Sequence, residues 1–290
     1  MKPYGRYMHF LLFIPILFLA ALALSCWDAF NDAYNERWKF GPRKIAFVRS
    51  NEIYTIDENG NNLTRLTYTT AADSFPSWSG DGTRIVFQSS RDGNQEIYVM
   101  KWDGTQQTRL TYNTVPDYYP SISPDGARIV FMRNIGTFQL FTINSDGSNE
   151  QQLTSIGTSN DQPKWSPDGT RIVFQSNRSG TNDIWVMNVS DPANPLQLTS
   201  AVGDGWPNWS ADGSLVLFAR GGANLYSIKA DGSDNYTPTV FVAGGPFNAW
   251  SPDGAIVMFT RAPDIYFINP DGTGERLFLT NANIPCWSPF

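Results

Sequence analysis

Runs of three apolar residues with no polar residue between them recur along the chain: Ile85-Val86-Phe87, Ile129-Val130-Phe131, Ile172-Val173-Phe174, Val216-Leu217-Phe218 and Val257-Met258-Phe259, preceded by Ile45-Ala46-Phe47. A strand with one wet face alternates apolar and polar positions. A short run without alternation predicts a strand covered on both faces. Each run is followed by a second one, such as Ile53-Tyr54-Thr55-Ile56, Ile97-Tyr98-Val99-Met100 or Ile184-Trp185-Val186-Met187, and then by a turn. The turns read Asn59-Gly60, Asp103-Gly104, Asp146-Gly147, Asp231-Gly232 and Asp271-Gly272, where glycine supplies the positive φ of a tight hairpin. The fourth copy has Asp191-Pro192 instead, which predicts a longer turn. A third strand ends in Leu-Thr at Leu66-Thr67, Leu110-Thr111, Leu153-Thr154, Leu198-Thr199 and Leu279-Thr280, with the threonine expected at an exposed outer edge.

Upstream of the first strand type stands a further motif, clearest in Pro163-Lys164-Trp165-Ser166-Pro167-Asp168-Gly169. Its Asp-Gly turn recurs at Asp81, Asp125, Asp168, Asp212 and Asp253, every 41–44 residues. That period, built from short strands and tight turns, belongs to propeller blades. The strand set that starts at Ile45 lacks the Pro-x-Trp-Ser stretch before it, and the missing copy lies at the other end, in Pro285-Cys286-Trp287-Ser288-Pro289-Phe290. The expected fold class is therefore all-β: a six-bladed β-propeller over residues 44–290, with the C-terminal strand closing the first blade. Exchange of this kind removes the free edges that a linear array of sheets would leave.

Residues 1–25 read as a signal peptide. Lys2 and Arg6 give a positive start, and Phe10 to Leu24 is an apolar run too short for an ordinary span. Leu22-Ala23-Leu24-Ser25-Cys26 resembles a bacterial lipobox, which would make Cys26 the lipidated first residue of the mature protein. Cys26 and Cys286 are the only cysteines, so a disulfide framework or zinc cluster is excluded, while a single Cys26–Cys286 bridge remains the alternative to lipidation. Residues 26–43 form a lipid-anchored connector in which Trp27, Phe30, Tyr34 and Trp38 share one helical face. The chain carries a net charge of −6, and loss of Lys2 and Arg6 with the leader makes the remainder more acidic still. An acidic surface repels phosphate backbones, so nucleic acid is not expected as a partner.

Trp165-Ser166-Pro167-Asp168-Gly169-Thr170-Arg171-Ile172-Val173-Phe174, with the later Asp183-Ile184-Trp185-Val186-Met187, resembles the WD40-like (PD40) repeat of TolB-type propellers, and the resemblance covers residues 44–290. It implies a periplasmic propeller that binds a peptidoglycan-associated lipoprotein through its central funnel. The N-terminal α/β domain of that family has no room in residues 27–43.

The sole histidine, His9, falls in the leader, which removes histidine-dependent catalysis and His-rich zinc sites from the mature chain. Carboxylates remain. Asp73, Asp117 and Asp204 stand five residues before the Trp position and Asp161 four before it, in loops that approach the central channel. Converging acids raise one another's pKa or recruit a divalent cation, and they would also receive basic groups of a partner. The alternative for each is an Asx-turn in its own loop. Tyr118, Tyr119, Trp206 and Phe247 adjoin the same loops as an aromatic rim able to pack a peptide or stack on a sugar. The expected function is a non-enzymatic, monomeric binding scaffold at the bacterial cell envelope, lipid-anchored and facing the periplasm or exterior. It would take an envelope protein or peptidoglycan-associated component into an acidic funnel, with no cofactor. The alternative is a carbohydrate-active enzyme, a polysaccharide hydrolase or lyase using channel carboxylates.

Overall fold

A computed structural model describes residues 42–200, 203–222, 224–233, 237–241 and 245–289. The expected signal segment, Cys26 and the connector as far as residue 41 lie outside the described residues. The rest is a ring of six four-stranded antiparallel sheets, with no helix among the described residues.

Blade 1 takes its innermost strand, Asn283–Trp287, from the C-terminus and its other three from Lys44–Arg49, Glu52–Asp57 and Thr64–Arg65. Ile45 pairs with Trp287 and Ala46 with Cys286. Lys44 and Ser288 then seal the junction: the Ser288 amide donates to the Lys44 carbonyl at 2.7 Å, and the Lys44 amide to Ser288 Oγ at 2.8 Å. Blades 2 to 6 begin with the innermost strands Asp73–Trp78, Asp117–Ile122, Asn160–Trp165, Asp204–Trp209 and Asn248–Trp250 and run outward in chain order.

The unalternating triplets are explained by the blade interfaces. In blade 2, Ile85 and Phe87 pack toward Ala46, Ile53 and Leu66 of blade 1, while Val86 between them packs toward Ile122, Ile129 and Phe131 of blade 3. Successive side chains leave a strand on opposite faces, so a strand sandwiched between two blades must be apolar at every position. Six such clusters, one per interface, make up the core. The Phe that closes each triplet (Phe47, Phe87, Phe131, Phe174, Phe218, Phe259) is fully buried.

The Ser-Pro-Asp-Gly loops are built as turns. Each Asp accepts from its serine, as in Ser166 Oγ to Asp168 Oδ1 at 2.5 Å, and from the amide two residues on, as in Thr170 N at 3.0 Å. The glycine that follows has φ between 65° and 70° in all five. Blade 2 carries Gly80 where three other loops have proline. A Cβ there would sit 2.2 Å from the Pro124 carbonyl oxygen, so only glycine fits against the next loop.

Two local expectations are corrected. The blade 4 turn is short, because Asn188 pairs with Asp191 and only Val189 and Ser190 lie between; the outer strand, Asp191–Gln197, starts at once. The Leu-Thr threonines of the first four blades are buried: Thr67, Thr111, Thr154 and Thr199 are at most 4% exposed, and only Thr280 is exposed. Each buried Oγ1 accepts an amide at 2.9 Å from the neighbouring strand (Ile53, Ile97, Leu140, Ile184). Thr67, Thr111 and Thr154 also donate, to Glu52, Glu96 and Gln139. A hydroxyl that both accepts and donates loses nothing by burial.

Candidate functional site: the axial channel

In five blades the innermost strand carries a bulge, and the residue at the bulge has a positive φ: Phe75 (54°), Tyr119 (53°), Gln162 (53°), Trp206 (56°) and Ile284 (50°). All five precede a proline, which disfavours the α conformation for the residue before it. A left-handed conformation costs a side chain of this bulk about 1–2 kcal/mol. In blade 6 the corresponding Phe247 precedes Asn248, whose strand pairs without a bulge. The six side chains meet on the axis, lining a cavity of about 70 Å³ to which all six blades contribute.

Four of them are aromatic and close on one another. Phe75 meets Tyr119 edge-on at 4.6 Å and lies parallel to Trp206 at 6.2 Å; Trp206 meets Phe247 edge-on at 4.6 Å and Tyr119 at 5.7 Å. Neighbouring blades hold the rings in place, since the Tyr119 amide donates to Gln88 Oε1 at 2.9 Å and the Trp206 amide to Gln162 Oε1 at 2.6 Å. Of the expected rim, Tyr119, Trp206 and Phe247 are brought together. Tyr118 touches Tyr119 at 6.0 Å but packs into the blade 3–blade 4 interface. Phe75 was not anticipated, although its place before Pro76 matches that of Tyr119 before Pro120 and Trp206 before Pro207.

The four acids separate into two kinds. Asp73, Asp117 and Asp204 are 0–1% exposed, and each is met by an arginine of its own blade. Arg91 reaches Asp73 at 2.9 Å, Arg133 grips Asp117 at 2.7 and 2.9 Å, and Arg220 grips Asp204 at the same two distances. These arginines belong to a sixfold set. Arg49, Arg91, Arg133, Arg178, Arg220 and Arg261 each lie 5.1–5.5 Å from the buried Phe of their blade. Each also covers a second ring, at 4.7–5.9 Å, from the adjacent strand. Burial opposes the charge on Arg133, but its bonds to Asp117 and Glu150 outweigh that and hold it firmly protonated.

In blade 4 the equivalent position is Asn160, whose amide donates to Gln139 Oε1 and to the carbonyl of Ile156 at 3.0 and 2.8 Å, so an acid there would meet acceptors. The acid is displaced by one residue, to Asp161. Its Oδ1 is shielded from solvent and has no hydrogen-bond partner. Burial pushes its pKa up to about 6, against a small opposing effect of the Gln162 amide. Burial, and then the charge of Asp161, raises the Tyr119 hydroxyl to about 12.

Below the aromatic cluster the next channel-facing positions are Ser77, Ser121, Lys164, Asn208, Ala249 and Cys286. Lys164 and Cys286 border both the aromatic cavity and a second, wider chamber of about 450 Å³ ringed by the Ser-Pro loops. Burial lowers the Lys164 pKa, countered in part by Cys286, and burial raises the free Cys286 thiol. The cationic neighbour of Cys286 was not legible in the sequence, because the two residues are more than a hundred positions apart. Among the described residues no group of three or more His, Cys, Asp and Glu could hold a metal ion.

Residues 120–290 match the family model of the TolB beta propeller domain (PD40). The chain belongs to this family. Residues 40–140 also match the Tricorn protease N-terminal beta propeller domain. No curated protein matches significantly. Among solved structures, TolB from Acinetobacter baumannii superposes with a TM-score of 0.73 at 19% identity, covering 86% of this chain and 67% of that one. A putative TolB from Agrobacterium tumefaciens gives 0.68 at 20% identity, covering 82% and 89%. An oligogalacturonate lyase solved in complex with manganese gives 0.58 at 15% identity, covering 79% and 70%. At these identities the structural likeness speaks for the fold.

Proposed function

We propose that this TolB-like propeller is a non-enzymatic binding scaffold of the bacterial cell envelope, and that the aromatic face of its channel receives a segment of an envelope protein or a peptidoglycan-associated component. The observation that carries this is the ring of Phe75, Tyr119, Trp206 and Phe247. Three of these four hold a strained backbone conformation, and strain retained at one level of several blades points to use. Apolar rings gathered at the mouth of a rigid scaffold supply the anchoring area that hot spots need. Asp161 adds one carboxylate beside them, whereas Asp73, Asp117 and Asp204 act through the arginines that fix the rim. The periplasmic setting rests on the family and on the leader-like residues 1–25; anchoring through Cys26 is part of the same proposal.

A hydrolase or lyase would need two free carboxylates, or a base with an activating cation. The pairing of three of the four acids with arginine supports the scaffold over that alternative. The test is capture of envelope proteins by the purified chain, with cross-linked species identified. Phe75→Ala/Trp206→Ala, shown to be folded by its melting curve, should lose at least tenfold of the capture. Unchanged capture of every species would remove the channel face from consideration.

A further inference from the structure

We infer that the channel holds a site for a small carboxylate carried on an apolar body, with Lys164 as its counter-charge. The proposal concerns a free small molecule and goes beyond the partner-binding reading above.

Lys164 occupies the innermost-strand position that blades 2, 3, 5, 6 and 1 fill with Ser77, Ser121, Asn208, Ala249 and Cys286. Five uncharged residues and one lysine at a single level of the channel make the lysine the only charge there among the described residues. Its ammonium has no hydrogen-bond acceptor among the described residues, where its backbone carbonyl receives the Trp209 indole at 3.0 Å. None of the ion pairs among the described residues involves it. A partly buried cation without a counter-ion lacks both the solvation of water and the attraction of a partner. Structural lysines are not placed that way, because a methionine would fill the same space without the cost of desolvating a charge.

The neighbours at this level complete the chemistry. Ser77 Oγ accepts the Ile122 amide at 3.5 Å and Ser121 Oγ the Trp165 amide at 3.2 Å, so both hydroxyl protons are left to donate. Asn208 is engaged in bonding the Asn248 carbonyl at 2.8 Å. One cation and two donor hydroxyls fit an anion with several acceptor lone pairs, and a carboxylate meets that description. Directly above lie the faces and edges of Phe75, Tyr119, Trp206 and Phe247, which cannot solvate an anion and favour an apolar body. The cavity of about 70 Å³ bounds the guest to something the size of one side chain. An apolar group tied by a short linker to a carboxylate would fill the upper cavity and reach Lys164.

Calorimetric titration with three probes of equal shape tests this: 3-methylbutanoate, 3-methylbutanamide and 3-methylbutylammonium. The carboxylate should bind at least tenfold tighter than the amide, and the ammonium should be weakest. Lys164→Met should erase the tenfold preference and Lys164→Arg should keep most of it, both with melting temperatures that show an intact ring. Equal binding of acid and amide, a preference that survives in Lys164→Met, tightest binding of the ammonium, or no binding of the carboxylate would each overturn the assignment. The probe experiment is independent of partner capture, so either reading can fail while the other stands.

Discussion

The rim of the channel and its interior use the same residue types in opposite ways. At the rim, Asp117 and Arg133 are both buried and both satisfied: two charge-assisted bonds join them, Glu150 adds further bonds to the guanidinium, and two aromatic rings lie beneath it. In the interior, Asp161 and Lys164 stand in the same strand three positions apart, and neither has an ionic partner among the described residues. Paired charges hold blades rigid. Unpaired buried charges cost stability, and Lys164, which borders the cavity, remains available to a ligand.

The largest effect should come from unpairing the rim. Asp117→Ala leaves Arg133 buried with only the outer Glu150, and should cost about 3–5 kcal/mol of unfolding free energy, read by denaturant titration. In the interior the sign reverses. The Asp161 carboxyl has its folded-state pKa raised from 3.8 to about 6, so its contribution is fully present below pH 3.8 and is lost as pH rises through 6. Asp161→Asn should therefore stabilise the protein by about 1–3 kcal/mol at pH 8 and by nothing measurable near pH 3.5, read from melting curves at the two pH values. Asn160→Asp, which brings blade 4 into line with the other rim acids beside Arg178, should nevertheless destabilise by about 1–2 kcal/mol, because Asn160 donates to acceptors that an aspartate would repel. The smallest change should follow from removing a rim pair whole: Asp117→Leu/Arg133→Met should lie within about 1 kcal/mol of the parent. A loss as large as that of Asp117→Ala would mean the pair itself, and not its integrity, carries the stability.

The acids themselves were legible in the sequence, and so was their recurrence, but their partners were not. Arg91 stands four residues after Phe87 and Arg133 two after Phe131, so the arginine has no fixed spacing and only the folded blade shows that both cover a phenylalanine. Tyr119, Trp206 and Phe247 were legible as aromatics beside the inner strands. Phe75 belongs with them through a pre-proline bulge that no apolar period reports. Thr67 and Thr111 depart from the expected exposure for a related reason: a threonine at the end of an outer strand is covered only once the groups that bond its hydroxyl are in place.

Residues near one another in the chain settled the blade. Apolar triplets, Asp-Gly turns and the 41–44-residue period act through backbone conformation and strand alternation, which need no distant partner, and the ragged ends required the C-terminal strand to complete blade 1. Which charges are neutralised and which stand free was decided by the folded blade, and that four aromatic rings, Lys164 and Cys286 share one axis was decided only by closing the ring. The charge pairs join residues 16 to 18 positions apart across one blade and the axial residues lie about 40 or more apart, and their energies depend on burial and on the few tenths of an ångström between donor and acceptor, quantities that no local pattern encodes.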